Sequence, residues 1–527
     1  MTDERVSGTD TVLRAPGLDV HLDGDGTVVR VGVAGSRIDW LGPSGALALT
    51  TADGPVVLGP PRVVVDVDEV ETERSRGGLR TVVRHSVEQG WTVRVVLANE
   101  SDAPLALEHV RLGWRAAPGT VVTALAAGAQ AAYAVQPADG AGPVLAGRLR
   151  AGAQPGVDDA GLLLGPLVLA PHHRWAVAWR WEVVPDARRV VAHDLPRSTW
   201  LDLGQSAVLP GGPDVAVVAP GLNVELEDDR VEVEAFEPGA SVVELRSARG
   251  TTAYALDWAP DLDDLVDDRV RQLLAGPTTP AGTVRLADAD AGLLVQDALA
   301  RRTASPTDDL ADALELLAGE LVERLDEPAD EAGEPEAVDS VTLAFLAREA
   351  DRTVEESTGT ALLDVAVERL RRTTAPVPGL GLAGVGLALA LVRAGRSATD
   401  VVAHLDALRT AGGGSADVHM ELALLLRPRE EVAGDVVLAA LHRLAVSLGA
   451  GLPGRVVPAA ATAAVAYAST LLGLVDEPTG QRLQDRWGVT ASGLARVTAA
   501  QVRARVATGD HGPEDRRALS WLVLGRR

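Results

Sequence analysis

The sequence predicts a multi-domain β-then-α protein. An antiparallel β-sandwich of the large, supersandwich-like kind precedes an all-helical half that closes into an α/α toroid. Three observations predict this. Apolar residues recur at every second position up to about Trp258. From Asp261 the period becomes that of a helix. No amphipathic helix longer than a turn or two interrupts the early strands, which excludes a parallel sheet with crossover helices. The expected domains are a sandwich over 1–205, a small β-module or continuation of the sandwich over 206–259, and a helical α/α domain over 260–527. The switch is placed near Trp258–Asp264.

The clearest strand runs through Trp175, Val177, Trp179, Trp181 and Val183, with Ala176, Ala178, Arg180 and Glu182 between them. One face is therefore large and apolar, which marks it as core. A second strand carries Trp91, Val93, Val95 and Leu97 and turns at Asn99–Pro104. Val224 and Leu226 are expected to pair with Val231 and Val233 across Glu227–Arg230. A further hairpin turns at Arg249-Gly250, between Val243/Leu245 and Tyr254/Leu256.

Leu262, Leu265, Val266, Val270, Leu273 and Leu274 trace the first helical stripe, with Asp261 as cap and Gly276-Pro277 as stop. Twelve similar segments follow, from Ala287–Arg302 to Pro513–Leu524, and short breakers make successive helices antiparallel neighbours. The acidic, Pro-bearing stretch Asp326–Glu336 reads as a loop. The uncharged run Val456–Val475 has the length of a membrane span, but Pro458, Gly473 and abundant Ala mark a buried helix instead. No sequence repeat of fixed period is present, which disfavours an open superhelix of helix pairs.

Composition narrows the chemistry. The chain contains no Cys and no Lys; every cation other than histidine is Arg. Thiolate nucleophiles, Cys-ligated metals, Schiff-base chemistry and the P-loop lysine are thereby excluded, since guanidinium does not release its proton near neutral pH. A formal charge of −25 disfavours nucleic acid and anionic membrane surfaces as partners. The charged start Met1-Thr2-Asp3-Glu4-Arg5 does not read as an export signal, so a cytoplasmic location is expected. No cofactor and no metal is expected. His172 and His173 are adjacent and point to opposite faces of a strand, and no His pair has ligand spacing. Gly379-Leu380-Gly381-Leu382-Ala383-Gly384 matches G-x-G-x-x-G but lacks a preceding strand, so close helix packing explains its glycines.

What remains is carboxylate, histidine, hydroxyl and Arg chemistry. Asp417, His419 and Glu421 follow the Gly-rich turn Gly412–Ser415, and Asp417 and Glu421, four apart, share a helix face. A dipole-stabilised acid at a helix start gives the same pattern without any site. Eight of the ten Trp lie in the first half. Trp40 and Trp200, beside turn signals, are candidate platforms for a sugar ring.

The order of the halves, with Asp339-Ser340-Val341-Thr342-Leu343-Ala344-Phe345-Leu346 and Thr358-Gly359-Thr360-Ala361-Leu362-Leu363-Asp364, resembles the glycogen-debranching, glucoamylase-like and disaccharide-phosphorylase proteins. In those, a β-sandwich precedes a ring of six helical hairpins. The resemblance implies that Asp339 opens an inner helix as the catalytic acid, and that Thr358-Gly359 leads into the next helix. With Glu421 as its partner and Asp417 as support, Asp339 would form the carboxylate pair of a glycoside hydrolase or phosphorylase; an inverting hydrolase sets such a pair about 6.5–9.5 Å apart. Trp40, Trp200 and His419 are the expected substrate contacts. Val341 and Thr342 stand where that family has an aromatic, and the helical half holds only Phe345, Tyr467, Trp487 and Trp521 as rings. The expected function is therefore saccharide binding or saccharide processing in a debranching-like layout, and the aromatic count leaves open both a catalytic chain and a catalytically degenerate one. The alternative is a non-catalytic interaction protein that docks a protein partner through its helical half.

Overall fold

The computed structural model describes residues 10–526 apart from 45, 159–160, 191–198, 213, 281, 305–307, 327–338, 412–413 and 427–434. All but the first residue of the acidic stretch Asp326–Glu336, and two glycines of the Gly412–Ser415 turn, thus lie outside the described residues. The chain forms two compact units. One comprises Met1–Phe236, Ala240–Asp257 and Ala445–Ala460; the other comprises Glu237–Gly239, Trp258–Leu444 and Ala461–Arg527.

The first unit is built from antiparallel strands, as the alternating pattern requires. Its thirteen-stranded sheet runs from Ala216–Val218 at one end to Arg62–Asp66 at the other. Sheets of four strands (Thr11–Ala15 to Asp39–Leu41) and five strands (Gly156–Asp158 to Gly54–Pro55) contribute to the same core. The two strands clearest in the sequence are partners. Trp91 faces Trp181, Val93 faces Trp179, Val95 faces Val177 and Leu97 faces Trp175. Their stripe forms the centre of the core, with Val95, Val177 and Trp179 fully buried, and Trp175 half-buried at its end.

The segment after residue 205 divides. Ala216–Val218, Gly239–Ser247 and Gly250–Ala259 extend the large sheet, whereas Ala207–Pro210, Arg230–Ala235 and Leu222–Leu226 make a separate three-stranded sheet. In that small sheet Val224 pairs with Val233 and Leu226 with Val231, across the turn read from the sequence.

The run Val456–Val475 is not one helix. Arg455–Val457 is a strand that pairs with Val122–Ala124. Its Arg455 bonds Asp257 and stacks over Trp200, 5.0 Å from the ring centroid. Helix begins only at Thr462, after Ala461, whose backbone is extended at φ −56° and ψ 143°; Pro458 itself favours an extended residue before it, here the last of the strand. No helix among the described residues is long and apolar enough to cross a membrane.

The second half is helical, with thirteen helices among the described residues. They are α1 (Leu262–Leu274), α2 (Ala289–Arg301), α3 (Asp308–Asp326), α4 (Ser340–Arg352), α5 (Glu356–Arg372), α6 (Leu380–Arg393), α7 (Thr399–Ala411), α8 (Ala416–Leu426), α9 (Asp435–Ser447), α10 (Thr462–Gly473), α11 (Glu477–Trp487), α12 (Ala491–Thr508) and α13 (Pro513–Leu524). Helix α4 packs against α2, α5 and α6; α6 packs against α8; α10 packs against α12 and α13; and α13 packs against α2. Thr358 and Gly359 lie inside α5 and not in a connection between helices. The glycines of the G-x-G-x-x-G match serve close approach. A Cβ on Gly379, whose φ is +81°, would stand 2.1 Å from Trp521, and one on Gly384 would stand 2.5 Å from Leu405.

Candidate functional site

Carboxylates and arginines of the helical unit converge where α2, α4, α6 and α13 begin. Each is explained by its helix end. Asp288 caps α2 by accepting from Ala291 N at 2.9 Å, and also takes Arg516 of α13 at 2.6 Å. Asp339 stands at the N-cap of α4 but makes no side-chain cap bond. Its two oxygens instead accept from Arg517 Nη1 and Nη2 at 2.8 and 3.1 Å, and Thr342 Oγ1 donates to it at 3.0 Å. The Nε of Arg517 lies 2.9 Å from both oxygens of Asp290. One guanidinium thus clamps two carboxylates in a forked geometry that lysine could not provide. Asp290 is buried, and burial pushes its carboxyl up against the opposing pull of Arg517. The accessible part of the cluster is Asp339 and Arg517, whose side chains are 37% and 34% exposed.

One turn along α13, Trp521 lies under Arg517, with the guanidinium carbon 6.0 Å from the ring. Tyr467 of α10 packs on Trp521 at 5.3 Å between centroids, and its hydroxyl donates to Glu421 at 2.5 Å. Glu421 is fully buried. Its oxygens accept the backbone N–H groups of Gly379 and Leu382, each at 2.8 Å. The first N–H groups of any helix lack partners within it, and Gly379, the N-cap of α6, has no side chain to offer. Glu421 supplies the missing acceptor from the neighbouring helix. Burial pushes the Glu421 carboxyl up, while Tyr467 and the amides of α6 pull it down. Tyr467 is itself raised well above the ordinary phenol range by burial and by Glu421.

The sequence candidates therefore separate. Asp339 lies at the accessible end of the cluster. Glu421 is placed where no substrate reaches it, as a helix cap. Asp417, in the first turn of α8, is half-buried, with its carboxyl raised by burial against the pull of Arg443. His419 is half-buried in the same helix. Trp40 is no platform: it is fully buried, and its indole N–H donates to Pro143 O at 3.0 Å. Trp200 is half-buried, with Arg455 over its ring. Sequence reasoning missed Arg516 and Arg517. A signal was present, because two cations in the opening turns of a helix oppose its dipole and so call for acidic partners.

No protein-family model and no curated protein matches the sequence. Among solved structures, a polysaccharide lyase matches with a TM-score of 0.65 and 11% identity, over 94% of this chain and 93% of its own. The YidC protein of Thermotoga maritima and its separate periplasmic domain each match 35% of this chain, covering 51% and 87% of their own lengths, at 15% identity. Their TM-score of 0.22 carries no weight. The β-then-helical layout expected from the debranching-like resemblance is thus met with in a polysaccharide lyase. The likeness, at this identity, is one of fold, and it runs over nearly the whole chain.

Proposed function

We propose that this chain binds a neutral polysaccharide, and that the saccharide meets the Asp290–Arg517–Asp339 cluster of a ring of helical hairpins. The observation that carries the reading is the likeness in fold, over almost the full length of both chains, to a polysaccharide lyase. The pattern of helix neighbours supports the ring. Helices α10, α13, α2, α4, α6 and α8 follow one another by contact, and the Tyr467–Glu421 bond links α10 back to α8.

The charge pattern narrows the ligand. Three carboxylates, Asp288, Asp290 and Asp339, meet two cations, Arg516 and Arg517, so the cluster is anionic, on a chain of formal charge −25. A polyuronate would be repelled, whereas neutral sugar hydroxyls can donate to Asp339 and accept from Arg517. Burial also raises the carboxyl of the half-buried Asp417, the direction that lets it hold a proton if the bound saccharide is also cleaved.

One observation favours the alternative of a protein-docking helical unit: Phe345, Tyr467, Trp487 and Trp521 are all buried, so none offers a free ring face. Native gels cast with single polysaccharides separate the two readings. Neutral glucan or chitin-type polymer is expected to retard the protein, and alginate or polygalacturonate is not. Retardation by none of these polymers, or only by the acidic ones, would sink the saccharide reading.

A further inference from the structure

Two sheet faces of the first unit carry like charges side by side, and the two faces have opposite signs. The first is the outer face of the large sheet, turned away from the tryptophan core. On strands Leu79–Ser86 and Trp91–Asn99, Arg84 stands directly across from Arg94. On strands Val144–Ala151 and Arg174–Val184, Arg148 stands directly across from Arg180. These two pairs of strands are themselves neighbours, so the four arginines form one strip over four adjacent strands. Arg84 bonds Glu69 at the edge of the strip, and Arg180 and Arg148 donate to the backbone oxygens of Gln89 and Val190. Arg94 is exposed and has no ion pair among the described residues. Val82 and Val96, half-buried, face each other beside the strip.

The second is the outer face of the three-stranded sheet. Glu225 stands directly across from Glu232, and Val208 lies on the other side of Glu232. Glu234 follows two residues along, and Phe236, two further and just past the end of the strand, is 74% exposed. The chain has only two Phe, and the other, Phe345, is fully buried. Arg230 reaches Glu232 at 3.5 Å. Glu225 is exposed and has no ion pair among the described residues.

The stability of their own sheets does not explain these pairs, because like charges directly opposite one another destabilise a pair of strands. Each face is the complement of the other. The opposed pairs have the same spacing, about 4.5–5.5 Å between Cβ atoms. Arg84 and Arg94 therefore match Glu225 and Glu232 two on two, in the charge-assisted pairing that guanidinium makes with carboxylate. Phe236, further along its strand, falls toward the apolar side of such a contact, where Val82 and Val96 lie. A long polyanion suits the strip poorly, since Glu69, Glu71 and Glu73 of the neighbouring strand border it.

We infer that the two faces are the halves of one interface, by which a second copy of this chain docks its acidic sheet on the arginine strip of the first. The halves differ, so the contact is heterologous and copies add head to tail. The formal charge of −25 opposes association, but at physiological salt exposed charges are screened beyond about 8 Å, whereas pairs within the contact are screened much less. Sedimentation of the full chain in about 150 mM salt tests this. The weight-average mass is expected to rise with concentration above that of one chain. Arg94→Glu and Glu225→Arg each remove a like-charge pair, so each variant is expected to melt no lower than wild type and yet to associate at least about tenfold more weakly. A mixture of the two variants is expected to associate again, because each keeps the face that the other has lost. Phe236→Ser, which leaves every charge in place, is also expected to weaken association, and it decides the matter if a charge variant does not fold. A wild-type chain that stays monomeric, variants that associate like wild type, or a mixture no better than either variant alone would overturn the inference.

Discussion

Replacing Glu421 by Ala is expected to destabilise the helical unit by about 4 kcal/mol, the largest effect expected of a single change in that unit. The carboxylate accepts from Gly379 N, Leu382 N and the Tyr467 hydroxyl in a site with no access to solvent. Removal strands these donors together, and Gly379 has no side chain with which to cap α6 in its place. Glu421→Gln should be milder, about 2 kcal/mol, because its carbonyl still accepts while its amide NH₂ faces other donors. Urea unfolding followed by the helical circular dichroism signal measures both. Variants within about 0.5 kcal/mol of wild type would show that α6 does not depend on this cap.

The second large effect is a pH dependence in the sandwich unit. His85 is buried, accepts from Trp91 Nε1 at 3.3 Å, and has its pKa lowered by burial from 6.5 to about 4. The unfolded chain therefore takes up a proton near pH 6.5, and the folded chain only near pH 4. Stability from this residue is complete above about pH 6.5 and is lost as pH falls toward 4. The total loss is about 3 kcal/mol, at about 1.4 kcal/mol for each unit of displacement. Many carboxylates titrate over the same range, so the informative quantity is the difference between wild type and His85→Gln, which keeps an acceptor for Trp91 but does not titrate. That difference should shift in favour of the variant between about pH 6.5 and 4. A difference that stays constant with pH would mean that His85 is hydrated or charged in the folded state.

The fold was legible where it rests on local period. The alternation in Trp91–Leu97 and in Trp175–Val183 is a property of each strand alone, and the two stripes prove to be cross-strand partners. The helical stripes were legible for the same reason. What the sequence hid depends on contacts far apart in the chain. Trp40 stands next to a Gly-Pro turn, but it is buried because residues about a hundred positions later close over it, as its bond to Pro143 records. Glu421 looked like the catalytic partner of Asp339 because it follows a Gly-rich turn and shares a helix face with Asp417. Its true partners lie 42 residues before it and 46 after it, at Gly379 and Tyr467. Asp339 was placed at a helix start by its surroundings in sequence, yet the Arg517 that clamps it is 178 residues away. The strand Arg455–Val457 was missed, and its last two residues were counted with the uncharged run Val456–Val475, because so short an apolar run has no period of its own; Gly454 and Pro458, on either side of it, were the available warning.

The measurement that bears most directly on the saccharide reading is the affinity of an Asp339→Asn variant for the neutral polysaccharide that retards the wild-type chain most strongly in gels. The amide would keep the size of the side chain, and Arg517 would keep Asp290 as its partner, so the fold should hold, as an unchanged far-ultraviolet spectrum would verify. Loss of a charged acceptor for sugar hydroxyls at the accessible end of the cluster is expected to weaken binding at least about tenfold, or about 1.4 kcal/mol. An Asp339→Asn protein that binds the polysaccharide as tightly as wild type would contradict the account and place the saccharide elsewhere on the chain.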